Sequence, residues 1–207
     1  MMKKHLTIKI LLGFIILILF AFIAMHVFDA DPLAKAKSES RQLKQLYEDM
    51  GVLKLPRNTD PIEIRLKDLN GNLVSLSDFI GRIVFLNFWT TWCPTCRIEM
   101  PSMEKLHQKF KDQDFAVVTV NIQESAAQVE KFYKNFKLTF TALLDTTGEV
   151  ASGFRIRSIP TTFIVDKSGR IIGTIMGPRE WGGKKAVALF EHLINKYEAT
   201  STQITTQ

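Results

Sequence analysis

The order of periodic segments predicts an α/β sandwich built on a mixed sheet. Two observations carry that expectation. The runs Arg82 to Trp89 and Phe115 to Ile122 are nearly continuous in apolar residues, as strands covered on both faces must be, and a segment of helical period lies between them. Further on, Thr161 to Asp166 and Arg170 to Met176 flank Lys167-Ser168-Gly169 and lead into a helical segment, which gives a β-β-α close.

Taken in order, the chain opens with Lys3, Lys4 and Lys9 in a basic segment over residues 1–9. An uncharged run of about 19 residues, Ile10 to Phe28, follows. As a helix it is roughly 28 Å long, against a hydrocarbon core of about 30 Å. A single transmembrane anchor over 10–28 is therefore expected. A cleaved signal peptide is the alternative, but Met25-His26-Val27-Phe28-Asp29 lacks the small-x-small cleavage pattern. No cysteine near the run could carry a lipid. Positive charge before the span and little after it places residues 1–9 in the cytoplasm and the rest outside. The chain's net charge of +6 includes those three lysines. What remains is too small to imply a nucleic-acid partner.

Residues 29–60 form a polar stretch rich in Lys, Ser and Glu, in which Leu43, Leu46, Tyr47 and Met50 recur at helical spacing. A partly helical stalk or linker is expected there. The folded domain is assigned to 61–198. It begins with a hairpin over Ile62 to Ser75 around Asn70-Gly71, a strong turn signal, and Ser77 is placed to cap a helical turn before Gly81. The helix after the first buried strand puts Met100, Met103, Leu106 and Phe110 on one face, with Pro101 expected to kink it. Ser125 to Lys137 reads as a helix with Val129, Phe132, Tyr133 and Phe136 inward. Phe140 to Leu144 reads as a short strand, Gly148 to Phe154 as a helical turn, and Arg179 to Tyr197 as the last helix. The Ser/Thr/Gln tail over 199–207 has no apolar period, and disorder is expected there.

Both cysteines of the chain, Cys93 and Cys96, stand where the first buried strand runs into a helix. A thiol at a helix N-terminus faces unpaired backbone N–H groups and the positive end of the helix dipole, which favour its thiolate. Cys93 is therefore the candidate nucleophile, and Cys96, one turn on, is within reach of a disulfide with it. Two plainer readings stand beside a redox dithiol. A structural disulfide between residues three apart closes a very small loop, which constrains the unfolded chain less than the roughly 3 kcal/mol of a 15-residue loop. A zinc site needs about four ligands. There is no second cysteine pair, and His5, His26, His107 and His192 have no ligand spacing. Neither a metal nor any other cofactor is expected.

Phe88-Trp89-x-x-Trp92-Cys93-x-x-Cys96, Pro101 in the following helix and Ile159-Pro160-Thr161-Thr162-Phe163 at a late strand together resemble the thioredoxin superfamily. The leading hairpin, the strand and turn inserted from Phe140 to Phe154, Glu99 three residues after Cys96 and the N-terminal anchor are similar to the membrane-anchored TlpA/ResA/CcmG-like proteins of that superfamily. The resemblance covers Pro61 to about Glu198. It implies a thioredoxin-like three-layer sandwich with an N-terminal hairpin and a central insertion. It also implies thiol-disulfide exchange in which Cys93 attacks a partner disulfide and Cys96 resolves the mixed disulfide. Pro160, by the same resemblance, has a cis peptide bond beside the dithiol, Ile159 offers backbone atoms to a bound partner, and Trp92 shapes the docking surface. The alternatives are an ordinary strand-edge proline and a core tryptophan.

The sequence departs from the thioredoxin pattern in one respect that bears on chemistry. Many thioredoxins carry a buried Asp six residues before the first cysteine, where Asn87 stands here and cannot titrate. Glu99, on the helix face of Cys96, is the proton-handling substitute that the TlpA-like group suggests; a solvated helix glutamate is the alternative. Pro94-Thr95 supplies no charge to stabilise a thiolate, so the resemblance implies a reductase, active on the outer face of the bacterial cytoplasmic membrane. Its clients would be disulfide-bearing proteins, such as an apocytochrome c or a copper-site protein, and an integral-membrane thiol carrier would resupply electrons. Three other readings compete. A peroxiredoxin-like peroxidase would need Pro where Leu86 stands, although Thr90 fits its pattern. A copper-delivery protein would space its cysteines by three residues and add a late histidine. A holding chaperone would bind the client without turnover.

Overall fold

The computed structural model describes residues 13–19, 32–55 and 61–204, in two compact units divided between Gln42 and Leu43. In the first unit residues 13–19 are helical, and so is the opening of α1 (Pro32–Met50). The remainder of the expected 10–28 span and the basic segment 1–9 lie outside the described residues. Among the described residues no helix is long and apolar enough to cross a membrane.

The second unit is organised on an eight-stranded sheet. Its strands are β1 (Leu53–Lys54), β2 (Arg65–Asp68), β3 (Leu73–Ser75), β4 (Ile83–Trp89), β5 (Phe115–Ile122), β6 (Thr141–Asp145), β7 (Thr161–Val165) and β8 (Ile171–Met176). They lie in the order β1-β8-β7-β4-β5-β6-β2-β3. β4 is parallel to β5 and β5 to β6, and the other pairings are antiparallel, so the sheet is mixed as expected. A 3-10 turn (Leu76–Phe79), α2 (Pro94–Phe110), α3 (Ala126–Phe136), α4 (Glu149–Gly153) and α5 (Lys184–Ile204) complete it.

Alternation along β4 sorts the core into two halves, because successive side chains of a strand point to opposite faces. Ile83, Phe85 and Trp89 join a cluster with Met100, Met103, Leu106 and Phe110 of α2, Val129 and Phe132 of α3, and Leu189 and Phe190 of α5. Val84, Leu86 and Phe88 face a thinner layer of Ile64, Leu76 and Ala151. Asn87 shares the helical face of β4 and is fully buried there. β4 is buried along its whole length at the centre of the sheet, which carries its C-terminal end to the start of α2.

The hairpin forms as its turn residues require. Gly71 has a positive φ of 82°, and Asp68 accepts hydrogen bonds from the backbone N–H groups of Asn70 and Asn72. Pro101 stands inside α2, which continues to Phe110. Ser125 caps α3, accepting from the N–H of Gln128.

Four boundaries differ from expectation. The stretch expected as linker is part of the fold from Leu43 onward. Tyr47, Met50 and Val52 are buried in the helical-face cluster, and β1 pairs with β8, Leu53 opposite Thr174 and Lys54 opposite Gly173. The apolar stripe on an otherwise polar helix had to be covered by something, and the domain covers it. The last helix begins at Lys184 rather than Arg179, because Gly182-Gly183 sits just ahead of it and glycine is a poor helix former. It continues past Glu198 to Ile204, where a disordered tail was expected. The 3-10 turn is preceded by Ser75, whose N–H donates to the Asp78 carboxylate, so Ser77 lies within the turn rather than ahead of it.

Candidate active site

β4 delivers the chain to the top of the sheet at Trp89, and Thr90-Thr91-Trp92 turns it into α2. Cys93 is the N-cap residue of that helix, with Pro94 in the first turn, where a missing N–H costs nothing. The Cys93 sulfur accepts the N–H of Cys96 at 3.2 Å. The two cysteines are joined in a disulfide with their Cα atoms 5.3 Å apart. Both are largely covered by neighbours, Cys96 completely.

Two other segments close on the disulfide. The Ile159–Pro160 peptide bond is cis, and the Ile159 carbonyl oxygen lies 3.9 Å from Cys93 Sγ. The Pro160 carbonyl accepts from Gly177 N–H at 2.8 Å, which holds the entry to β7 against the end of β8. The Thr95 hydroxyl is 3.4 Å from Cys93 Sγ. Trp92 is 69 % exposed, so it is not a core tryptophan. The structure thus gathers Cys93, Cys96, Ile159 and Pro160 at one corner, with Trp92 in open solvent beside them.

Glu99 lies one turn further into α2 and is only 1 % exposed, which rules out a solvated helix glutamate. Its Oε1 accepts from Asn87 Nδ2 at 3.0 Å. Its Oε2 accepts from Trp181 Nε1 at 2.9 Å and from the backbone N–H of Arg179 at 3.3 Å. Burial disfavours the carboxylate and outweighs these three donors and the nearby Arg179 charge, so its pKa is pushed up to about 7. A buried acid that titrates near neutral pH can both hold and release a proton.

Five residues of this corner, Trp181, Arg179, Glu124, Thr91 and Arg97, were not anticipated. Trp181 is fully buried, in edge-to-face contact with Phe85 at 4.6 Å between ring centroids, and donates to Glu99. The signal for it was the Gly182-Gly183 doublet, which argues that Trp181 precedes the helix instead of belonging to it. Arg179 donates from its side-chain Nε to the Met50 carbonyl at 3.1 Å, so one residue touches both the end of α1 and the buried acid. Glu124 and Thr91 form the third contact: the Glu124 carboxylate accepts from Thr91 N–H at 2.7 Å and from Asn121 Nδ2 at 2.7 Å, bracing the turn that leads to Cys93. Glu124 follows the C-terminal end of β5, the edge of a parallel sheet where sites gather. Arg97 stacks over Phe132 and Phe136, at 5.5 and 5.4 Å to their ring centroids.

Among the described residues no group of three His, Cys, Asp or Glu side chains is placed to hold a metal ion. Position 86, where a peroxidase pattern requires proline, is a leucine in mid-strand, paired with Val118 on one side and Phe163 on the other. A proline there would remove a ladder hydrogen bond from a central strand. The arrangement as a whole can take up and give out two electrons at the sulfur pair, with a titratable acid behind it.

Comparison with known proteins agrees with the geometry. The profile described as the AhpC/TSA family matches residues 59–173. The thiol-disulfide oxidoreductase ResA of Geobacillus kaustophilus is 42 % identical over 112 residues, which cover 54 % of this chain and 64 % of that protein. The ResA of Bacillus subtilis is 36 % identical over 123 residues, covering 59 % of this chain and 69 % of its relative. The chain therefore spans a little under two thirds of the first relative's length and a little over two thirds of the second's. Among solved structures, a putative thiol:disulfide interchange protein DsbE from Chlorobium tepidum superposes with a TM-score of 0.57 at 28 % identity, over 73 % of this chain and 97 % of that one. The chain belongs to the AhpC/TSA family of thioredoxin-like proteins and, within the thioredoxin superfamily, to its TlpA/ResA-like group.

Proposed function

We propose that the protein is a thiol-disulfide oxidoreductase working as a reductase of disulfides in partner proteins. The observation that carries this reading is the Cys93–Cys96 disulfide at the N-terminus of α2, with the Ile159–Pro160 segment against it and the buried Glu99 one turn behind. In the reduced form Cys93, as thiolate, attacks one sulfur of the client disulfide and releases the other. Cys96 then attacks Cys93, and the client leaves as a dithiol. Two electrons and two protons pass to the client, and the Cys93–Cys96 bond re-forms. The helix terminus favours the Cys93 thiolate, and Glu99 is the acid–base group for Cys96. Ile159 and Pro160 present backbone for the client to dock on, with Trp92 beside them.

The direction of electron flow follows from charge. A strongly oxidising pair needs an exceptionally stable thiolate in its reduced form. Pro94-Thr95 brings no positive charge, and an ionised Glu99 nearby opposes a thiolate, so the pair favours reduction of its client. The reading places the domain 61–198 outside the cytoplasm, held by residues 10–28 to the bacterial cytoplasmic membrane with 1–9 inside. An integral-membrane thiol carrier would recharge the disulfide there. The clients would be proteins whose disulfides block haem attachment or metallation, such as an apocytochrome c cysteine pair or a copper site. The lysines before an uncharged run and the resemblance to ResA and DsbE support these points. Equilibration of the domain with glutathione tests the proposal. A potential nearer to about −270 mV than to about −120 mV is expected; a value at the oxidising end would make the protein an oxidase.

A further inference from the structure

We infer that Arg155 and Arg157, on the loop that leads to Pro160, select clients whose attacked cysteine lies beside acidic residues. The inference rests on the proposed reductase reading and names the client chemistry at that same site. Both side chains are exposed, and neither makes a hydrogen bond or ion pair among the described residues. A guanidinium left in that state is available to a carboxylate from outside, which it binds as a two-pronged fork.

Their place in the chain ties this charge to the disulfide. Ile159 brings its carbonyl oxygen to 3.9 Å from Cys93 Sγ, and Arg157 precedes Ile159 by two residues. Two residues of chain span at most about 7 Å, so a client strand lying along Ile159 and Pro160, with its cysteine against Cys93, passes Arg157 within about two or three of its own residues. Arg155 stands two residues earlier, just past the end of α4. Its N–H donates to the Ser152 carbonyl at 2.9 Å and that of Ile156 to the Ala151 carbonyl at 3.0 Å. The Thr161 hydroxyl donates to the Ser158 carbonyl at 2.7 Å. The loop is pinned at both ends, which holds the two arginines at a set distance from the sulfurs.

Charge on the segments that close on the disulfide is of one sign. Residues 90–98 hold Arg97 and no acid, and residues 154–162 hold the two arginines and no acid. Arg97 is committed to the Thr91 carbonyl at 3.2 Å and to the rings of Phe132 and Phe136, so it adds a fixed positive charge on the first turn of α2. Glu99 and Glu124 are buried and bound to donors of the fold, so neither offers a carboxylate to the surface. In the loop after β8, Arg179 and the exposed Glu180 offset each other. An acidic client therefore meets attraction, and a basic one repulsion. Complementarity of this kind sets encounter rate and choice of partner more than affinity.

The test uses the reduced full chain and synthetic peptides that share one intramolecular disulfide and differ only in the residues flanking it, Glu, Gln or Lys. At low ionic strength, stopped-flow exchange is expected to run roughly tenfold faster on the Glu peptide than on the Lys peptide. The gap should close as added salt screens the charges. In Arg155→Gly/Arg157→Gln the ratio should fall close to one. Arg155 has a positive φ of 53°, which suits glycine, so that variant should match or exceed the parent's thermal midpoint. In Arg155→Glu/Arg157→Glu the order of the peptides should reverse, which a merely structural role would not produce. Equal rates on all peptides, a preference for Lys, or a Glu preference that survives in the Gly/Gln variant overturns the inference. Binding of the same peptides with serine in place of cysteine, read by tryptophan fluorescence, separates docking from chemistry. Charge-selective binding without exchange would sink the proposed function and leave the client preference standing, and exchange at equal rates would do the reverse. Phosphatidylglycerol vesicles are the control for a membrane surface: arginine-dependent vesicle binding with no peptide preference would assign the two side chains to lipid and overturn the inference.

Discussion

Trp181 hands its indole N–H to the carboxylate of Glu99 across 2.9 Å, and neither side chain reaches solvent. An aromatic from the end of the chain thus sets the electrostatics of an acid on the helix that opens at Cys93. Trp181→Phe keeps the ring against Phe85 and removes the donor. The expected loss of stability is about 1–3 kcal/mol, the cost of a lost bond to a charged group. The Glu99 midpoint should move upward, because a donor that favoured the ionised form is gone. Denaturant titration and carboxyl NMR check the two effects.

Glu99 also gives stability a pH dependence of defined sign. Its pKa is raised in the fold from an ordinary value of 4.5 to about 7, so the fold favours the protonated form. The contribution is complete below about pH 4.5, declines as pH rises through 7 and is lowest above it, a change on the order of 3 kcal/mol at most. Glu99→Gln should flatten this part of the stability profile. If Glu99 handles protons for Cys96, the same variant should slow disulfide exchange by roughly 100-fold and erase an inflection near pH 7. Unfolding curves across pH 4 to 9, paired with exchange rates, separate the two roles.

The order of attack predicts an asymmetry between the cysteines. Cys93 caps the helix and accepts the Cys96 N–H, whereas Cys96 is inside the first turn and fully buried. Cys96→Ser should accumulate mixed disulfides with client proteins on non-reducing gels, and Cys93→Ser should accumulate none. Equal trapping by both variants would reverse or void the assignment.

Pro160 has no N–H and sits against the Ile159 carbonyl that faces Cys93. Pro160→Thr adds a donor and a side chain where a client strand would lie. The expected result is a fall in kcat/KM of roughly tenfold, about the worth of one hydrogen bond, with mixed disulfides that persist longer than in the parent. Stopped-flow exchange with a disulfide peptide measures it.

The sheet was legible because its central strands are so strongly apolar. Arg82 to Trp89 and Phe115 to Ile122 became β4 and β5 almost residue for residue, and the Asn70-Gly71 turn joins β2 to β3. Cys93, Cys96, Ile159 and Pro160 were readable as a group since each belongs to a short motif. The partners of Glu99 were not, because Asn87, Arg179 and Trp181 are brought to it by the packing of β4 and the α5 approach against α2, contacts separated by 12, 80 and 82 residues. No local spacing encodes such a contact. The end of the stalk misled for the opposite reason: a polar composition outweighed the Leu43, Leu46, Tyr47 and Met50 stripe that did record its burial.

That stripe decides where the polypeptide can be shortened. A fragment cut at Pro61 would look like a complete domain by motif, yet it would lack Tyr47, Met50 and Val52 from the interior and the β1 partner of β8. It would also leave the Arg179 guanidinium without the Met50 carbonyl, one residue's length from the hydrogen bond to Glu99. Such a piece would present a fresh edge strand to other chains and invite association. One beginning at or before Leu43 keeps the second unit whole, so the lower limit for a faithful fragment lies well upstream of the first sequence motif.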